Sequence, residues 1–184
     1  MRIITGIARG VRLSAPANDD IRPTSDIVKE GVFSAIQFEV GGKHVLDLFG
    51  GTGQLALEAL SRGAENAVIV DSSRAAVELI KQNAQKAKLF EKCRVVCSDY
   101  KDYLRGTKGK TKFDLIFLDP PYKAEAQDEI LKKLREADII ADGAIIVCES
   151  DADGVPQPID GFTQKLYRYG KIHITILRKE EAEA

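Results

Sequence analysis

The sequence has only three cysteines, an odd number, and no Cys-x-x-Cys pair. That excludes a disulfide framework and the usual zinc spacings. Cys93 and Cys97, four apart on a candidate strand, are expected to share a face as small buried hydrophobes in a reducing compartment. The two histidines read as a strand-start residue (His44) and a hairpin residue (His173), so no metal site is expected. No run approaches the ~18 consecutive apolar residues of a membrane span. The first ten residues, MRIITGIARG, lack the apolar stretch of a secretory signal, so a cytoplasmic location is expected. Internal repeats and low-complexity segments are also missing.

What is present is enough for a packed core: 44% of the 184 residues are apolar and 30% charged. A chain of this length buries roughly 70% of its unfolded surface. The net charge of -1 conceals three basic stretches. Residues 1–16 carry Arg2, Arg9 and Arg12 without an acid. Residues 101–112 carry Lys101, Arg105, Lys108, Lys110 and Lys112 against Asp102. Residues 162–179 carry Lys165, Arg168, Lys171, Arg178 and Lys179 without an acid. A local positive field can bind a polyanion on a near-neutral protein. On charge alone, each stretch reads as ordinary solvated surface.

From about residue 43 the chain alternates short Val/Ile-rich runs with helical patterns. The runs are 44–49, 67–71, 93–98, 114–119 and 143–150, each of strand length. Between them lie helices at 54–62, 73–88 and 125–137 and a short piece at 101–104. Ala76, Leu79, Ile80 and Asn83 recur at helical spacing, as do Ile130, Leu131, Leu134 and Ala137. Such alternation predicts a mostly parallel sheet covered on both faces. Residues 162–179 instead form two alternating runs about Tyr169-Gly170-Lys171, a hairpin, which brings the sheet to seven strands. Residues 1–42 are expected to form a basic hairpin turning near Ala8–Gly10 and a helix capped by Thr24 or Ser25, with Val28, Val32 and Ile36 on one stripe. They precede the α/β domain at 43–184.

Asp47-Leu48-Phe49-Gly50-Gly51-Thr52-Gly53 lies where the first strand turns into a helix. Glycines there let a ligand approach the backbone at the carboxyl end of a parallel strand. Asp71 ends the second strand, 18 residues after Gly53, where a carboxylate accepts from ribose hydroxyls. Asp47 decides between cofactors. A pyrophosphate would be repelled by a carboxylate in that place, whereas the ammonium of S-adenosylmethionine's amino-acid tail would be attracted. Asp99, ending the third strand, can accept from an adenine amine or simply cap a helix.

Asp119-Pro120-Pro121-Tyr122 follows the fourth strand. Two prolines end the ladder and stiffen the backbone. An exocyclic base amine is a weak nucleophile because its lone pair is delocalised into the ring. The Asp119 carboxylate and the Pro120 carbonyl can each accept one of its N–H bonds, freeing the lone pair for in-line attack on a sulfonium methyl. Tyr122 offers a face on which an extruded base can stack.

With these motifs on hand, the sequence resembles a class I methyltransferase of the D-P-P-Y type, and more closely the bacterial RsmD family. That family methylates the N2 amine of a guanine in 16S ribosomal RNA. The resemblance runs over nearly the whole chain. It is carried by Thr5-Gly6, Arg9-Gly10-x-Arg12-Leu13, Arg22-Pro23-Thr24-x-Asp26-x-Val28-Lys29-Glu30, the Asp47–Gly53 loop, Leu57-Glu58-Ala59-Leu60-Ser61-Arg62-Gly63, Asp71, Asp99, Asp119–Tyr122 and Tyr169-Gly170. Ser73 stands where many members have a second acid.

The resemblance implies a Rossmann-like α/β fold and S-adenosyl-L-methionine as cofactor. It implies a cofactor set of Asp47, Phe49, Gly51, Gly53, Asp71, Ser72, Asp99 and Tyr100, and a catalytic set of Asp119, Pro120 and Tyr122. Arg9, Arg12, Arg22 and Thr24 are expected to face RNA, with ribosomal RNA or the small subunit as partner of a monomeric enzyme. An amine methyltransferase of another RNA or of DNA is the near alternative. A non-catalytic RNA-binding assembly factor and an NAD-dependent oxidoreductase are further ones, but neither requires Asp119.

Overall fold

The computed structural model describes residues 1–16, 24–121 and 125–181. Among the described residues, five α-helices and seven strands run in the order α1 (Asp26–Ala35), β1 (His44–Asp47), α2 (Gln54–Ser61), β2 (Asn66–Asp71), α3 (Arg74–Lys86), β3 (Cys93–Cys97), α4 (Tyr100–Thr107), β4 (Phe113–Leu118), α5 (Glu125–Glu136), β5 (Ile140–Ser150), β6 (Phe162–Tyr169) and β7 (Ile172–Lys179). The strands form one sheet in the order β3-β2-β1-β4-β5-β7-β6. The pairs β1–β2, β2–β3 and β4–β5 are parallel. The terminal hairpin β6–β7 is antiparallel and joins β5 through β7. Among the described residues, no helix is long and apolar enough to cross a membrane.

The chain divides into two compact units, Met1–Tyr100 and Lys101–Ala184. In the first, β1 and β2 bury Val45, Leu46, Ile69 and Val70 against Leu57, Leu60 and Ile80 of the helices. Ser25 caps α1 and Ser73 caps α3, each accepting from the amide three residues on. Gly63, at φ 101°, ends α2 in the left-handed conformation that glycine adopts without strain. The expected basic hairpin is narrower than a two-stranded ladder. It is a single antiparallel bridge, Arg2 to Arg12, closed by a tight turn, with Ile3, Ala8 and Leu13 buried beneath it.

In the second unit, Phe113, Ile116, Phe117, Ile145 and Ile146 of β4 and β5 are buried, as are Ile130, Leu131 and Leu134 of α5. β5 starts at Ile140, earlier than the sequence pattern implies. Phe113 pairs with Ile140 and the register shifts before Leu115 pairs with Ile145, so the slack around Gly143 (φ 68°) is taken up as an irregularity within the strand.

The cysteine expectation needs correcting. Cys148 is buried, but Cys93 is half-buried and Cys97 exposed. Both lie on β3, which is an edge strand with one flank open to solvent.

Candidate active site

β1 delivers Asp47 to the start of the glycine loop with a side chain that is only 2% exposed. Burial pushes its carboxyl up to about 7. The backbone amides of Phe49 and Ala56 oppose that shift and the charge of Asp71 adds to it. Its Oδ1 has no hydrogen-bond partner among the described residues. An acid buried this deeply with an unsatisfied oxygen is costly unless something cationic completes it.

The loop that follows admits little but glycine. A Cβ on Gly50 would stand 2.5 Å from Ile69 Cγ2 and 2.9 Å from Ile80 Cδ1. Gly51 and Gly53 have φ of 56° and 78°. The loop is pinned from three sides. Gly50 N donates to Val70 O (2.8 Å). Gly51 N donates to Asp71 Oδ2 (2.9 Å). Asn83 Nδ2 of α3 donates to Thr52 O (3.0 Å). Asp71 thereby does double duty at the end of β2, because its Oδ1 also accepts from Ser73 N at 2.8 Å. No side chain caps α2 at Gly53, so the helix opens on bare backbone donors.

The other expected cofactor residues gather at the same ends of β1, β2 and β3. Phe49 and Tyr100 stack at a centroid distance of 5.3 Å, tilted by 52°. Ser72 and Asp99 are exposed and Tyr100 half-buried. The exposed Cys97 lies alongside, its Sγ 3.8 Å from Ser72 O. Acids, glycine backbone and an aromatic pair thus stand together at the ends of these strands. Among the described residues no group of His, Cys, Asp and Glu is arranged to hold a metal ion.

In the second unit, Asp119 and Pro120 follow β4 at its carboxyl end and are half-buried. Tyr122 and Arg22 lie outside the described residues. Arg9 and Arg12 are exposed. Thr24 does not face outward as expected for an RNA contact. It is 5% exposed, and its carbonyl accepts from Gln54 Nε2 at 3.1 Å at the first turn of α2.

Sequence reasoning missed the residues that seat the N-terminal segment. Glu58, fully buried on α2, accepts from Ile4 N (2.8 Å) and Thr5 N (3.0 Å). It also pairs with Arg62 Nε at 2.8 Å and with the buried Lys29 Nζ at 3.6 Å. Lys29 Nζ in turn donates to the Arg2 carbonyl. Burial lowers the pKa of Lys29, and Glu58 opposes that shift. Ser61 Oγ accepts from Ala8 N and donates to Thr5 O. Asn83 exchanges two hydrogen bonds with the Ser14 backbone while it holds the glycine loop. The available signal was that Lys29 and Glu58, of opposite charge, each sit inside a motif on which the family resemblance rests.

Comparison with known proteins bears on the family and the fold. The model of the family described as conserved hypothetical protein 95 matches residues 1–178. YlbH of Bacillus subtilis is 35% identical over 182 residues, 97% of this chain and 99% of its own. Ribosomal RNA small subunit methyltransferase D of Escherichia coli K12 is 35% identical over 157 residues, 85% of this chain and 78% of its own. The solved structure of yhhF from Escherichia coli superposes with a TM-score of 0.88 at 30% identity, covering 99% of both chains. The seven-stranded architecture is that of class I methyltransferases, and the chain belongs to the RsmD family of ribosomal RNA small subunit methyltransferases.

Proposed function

We propose that this protein transfers a methyl group from S-adenosylmethionine to the exocyclic N2 amine of a guanine in small-subunit ribosomal RNA. The observation that carries the reading is Asp47, a buried acid whose Oδ1 has no partner among the described residues, at the mouth of a loop with no room for a Cβ at Gly50. The ammonium of the cofactor's amino-acid tail satisfies that oxygen, whereas a pyrophosphate would be repelled by it. Asp71 accepts from the ribose hydroxyls through lone pairs left over from Gly51 and Ser73. Phe49 and Tyr100 flank the adenine, Asp99 accepts from its amine, and Ser72 lines the ribose end.

The cofactor supplies an electrophilic methyl on a sulfonium whose leaving group is a neutral thioether. The chain's own contribution is to prepare the acceptor. The Asp119 carboxylate and the Pro120 carbonyl accept the two N–H bonds of the amine, which localises the lone pair on nitrogen. Asp119 then takes the proton that the methylated nitrogen sheds. Tyr122 holds the extruded base by stacking. The D-P-P-Y motif serves any exocyclic amine, so the guanine in small-subunit RNA rests on the family relationship and on the N-terminal segment. Residues 1–42 serve as the RNA-contacting part through Arg9, Arg12 and Arg22, and 43–184 as the catalytic domain, working as a monomer in the cytoplasm.

Asp119→Ala tests the mechanism. Cofactor affinity should stay within about twofold, while turnover falls roughly 10²–10³-fold, the scale for removing one preorganised polar group. Turnover within a few-fold of wild type would refute amine activation by Asp119.

A further inference from the structure

The basic stretch at 162–179 has no part in the function described so far. In the fold it becomes the β6–β7 hairpin, with β6 as the outer edge strand of the sheet. The register fixes where the hairpin points. Leu118 of β4 is level with Cys148 of β5, Cys148 with Thr175 of β7, and Thr175 with Leu166 of β6. Two residues further along, Ser150, His173 and Arg168 share the next row on that side, and Tyr169 pairs with Ile172 at the turn. Asp119 and Pro120 continue β4 toward that same edge. The turn of the hairpin therefore sits at the catalytic edge, three strand spacings or roughly 14 Å from β4.

The chemistry of the hairpin is specific. Lys165, Tyr167 and Tyr169 alternate onto one face of β6, and Lys165 Nζ lies 5.1 Å from the Tyr167 ring centroid. Both tyrosines are half-buried, so each keeps part of its ring open to solvent. Lys165 is exposed, as is Lys171 at the turn; Arg168, also exposed, alternates with Gln164 onto the opposite face of β6 and stands one residue before Tyr169 at the turn. None of these three cations pairs with a carboxylate among the described residues. The acidic loop after β5 lies on the other face. Gln164, which alternates opposite to Lys165, donates through Nε2 to Pro156 O at 3.0 Å, and Gln157 N is held by Asp128 Oδ1 of α5. Asp151 and Asp153 thus belong to the loop that covers the Gln164 side. Cations without acids, interleaved with aromatic faces, are what a single-stranded nucleic acid requires: phosphates meet the charges and bases stack on the rings.

We propose that the β6–β7 hairpin is a second RNA-contacting surface, in which Lys165 and Lys171, with Arg168 at the opposite rim of the turn, engage phosphates and Tyr167 and Tyr169 stack bases of the single-stranded RNA flanking the target nucleotide. The proposal rests on the RNA-methyltransferase reading above. It complements the N-terminal arginines, and it is distinct from the lysines after α4, which no aromatic ring accompanies at the turn.

The test compares wild type with K165A/R168A/K171A for binding to 16S ribosomal RNA fragments and to small-subunit particles between roughly 50 and 200 mM salt. The triple variant should bind both at least about tenfold more weakly. Its salt slope should be shallower by about 2, at ~0.7 for each phosphate no longer engaged. KM for RNA should rise with kcat nearly kept and cofactor affinity unchanged. Tyr169→Ala should also weaken binding, and Tyr169→Phe, which keeps the ring, should not. K108A/K110A, in the other basic stretch, should behave as wild type. Wild-type affinity and slope in the triple variant, with methylation intact, overturn the hairpin surface alone. Weakening confined to assembled particles would mean a ribosomal protein is the partner, and overturns it too. If wild type itself neither binds nor methylates the RNA, the substrate reading fails first.

Discussion

Lys29 and Glu58 meet with their charged groups 3.6 Å apart and neither side chain exposed at all. Glu58 also receives two backbone amides from Ile4 and Thr5 and the Arg62 guanidinium, so one carboxylate fastens the N-terminal segment, α1 and α2 together. Removing Glu58 leaves Lys29 buried without its carboxylate, whereas removing Lys29 leaves Glu58 with Arg62 and two amides. Glu58→Ala should destabilise the chain by about 3–5 kcal/mol, and Lys29→Met by less, since Glu58 retains Arg62 and the amides. Urea unfolding of both variants checks the order, and equal small losses would mean the pair is not truly buried.

Gly6 sets how closely that segment can approach. At φ 90°, its Cβ position is 1.8 Å from the Ser61 carbonyl oxygen, which Ile7 N already uses as acceptor at 2.9 Å. Gly6→Ala must lift the turn off the end of α2. Amide exchange at Ile7 and Ala8 should accelerate strongly while β1 and β2 stay protected, and stability should drop by roughly 1–3 kcal/mol. Unchanged protection at both amides would contradict the packing.

Much of this molecule was legible before the fold was known, and what was not shares a cause. The strands announced themselves as Val/Ile runs, α3 by Ser73 and the Ala76–Ile80–Asn83 stripe, and the hairpin by alternation about Gly170. The glycine loop and Asp119-Pro120 carry their chemistry locally, in consecutive residues. Glu58 looked like any acid on an amphipathic helix, because what buries it comes from positions 54 residues earlier. Thr24 looked like a surface cap, and only its carbonyl's bond to Gln54 places it inside. Cys97 looked buried because its strand pattern is apolar, but strand order, which no local pattern encodes, puts β3 at the edge.

If Asp47 holds the cofactor's ammonium as proposed, cofactor binding must depend on pH. Its carboxyl is raised by burial to about 7, so the folded chain holds a proton there that the unfolded chain loses near pH 4. Stability of the free protein must therefore fall as pH rises from about 4 to 7, and that loss persists above 7. Asp47→Asn mimics the protonated acid and should stabilise the free protein at pH 8 by roughly 1–4 kcal/mol while weakening S-adenosylmethionine binding. In wild type, cofactor affinity should rise with pH below about 7, approaching tenfold per unit, and level off above it. Calorimetric titration from pH 5.5 to about 8.5 checks this, and a flat profile would contradict a cation contact at Asp47.

Cys97 offers a probe of the proposed cofactor site. Burial pushes the Cys93 thiol up to about 12 and Cys148 higher still, whereas Cys97 is exposed beside Ser72. Native protein should react rapidly with a thiol reagent at Cys97 alone, and at the other two only after denaturation. S-adenosylmethionine should slow the Cys97 reaction several-fold. Equal reactivity with and without cofactor would move the ribose site away from the ends of β2 and β3.

The central claim concerns which atom receives the methyl group. Purified protein is incubated with isotopically labelled S-adenosylmethionine and small-subunit particles from cells lacking the gene, and the RNA is digested to nucleosides for mass spectrometry. The expected result is label in N2-methylguanosine at a single position, abolished by Asp119→Ala. Label in methylated adenosine or cytidine, or label that persists in the Asp119→Ala reaction, would contradict the account.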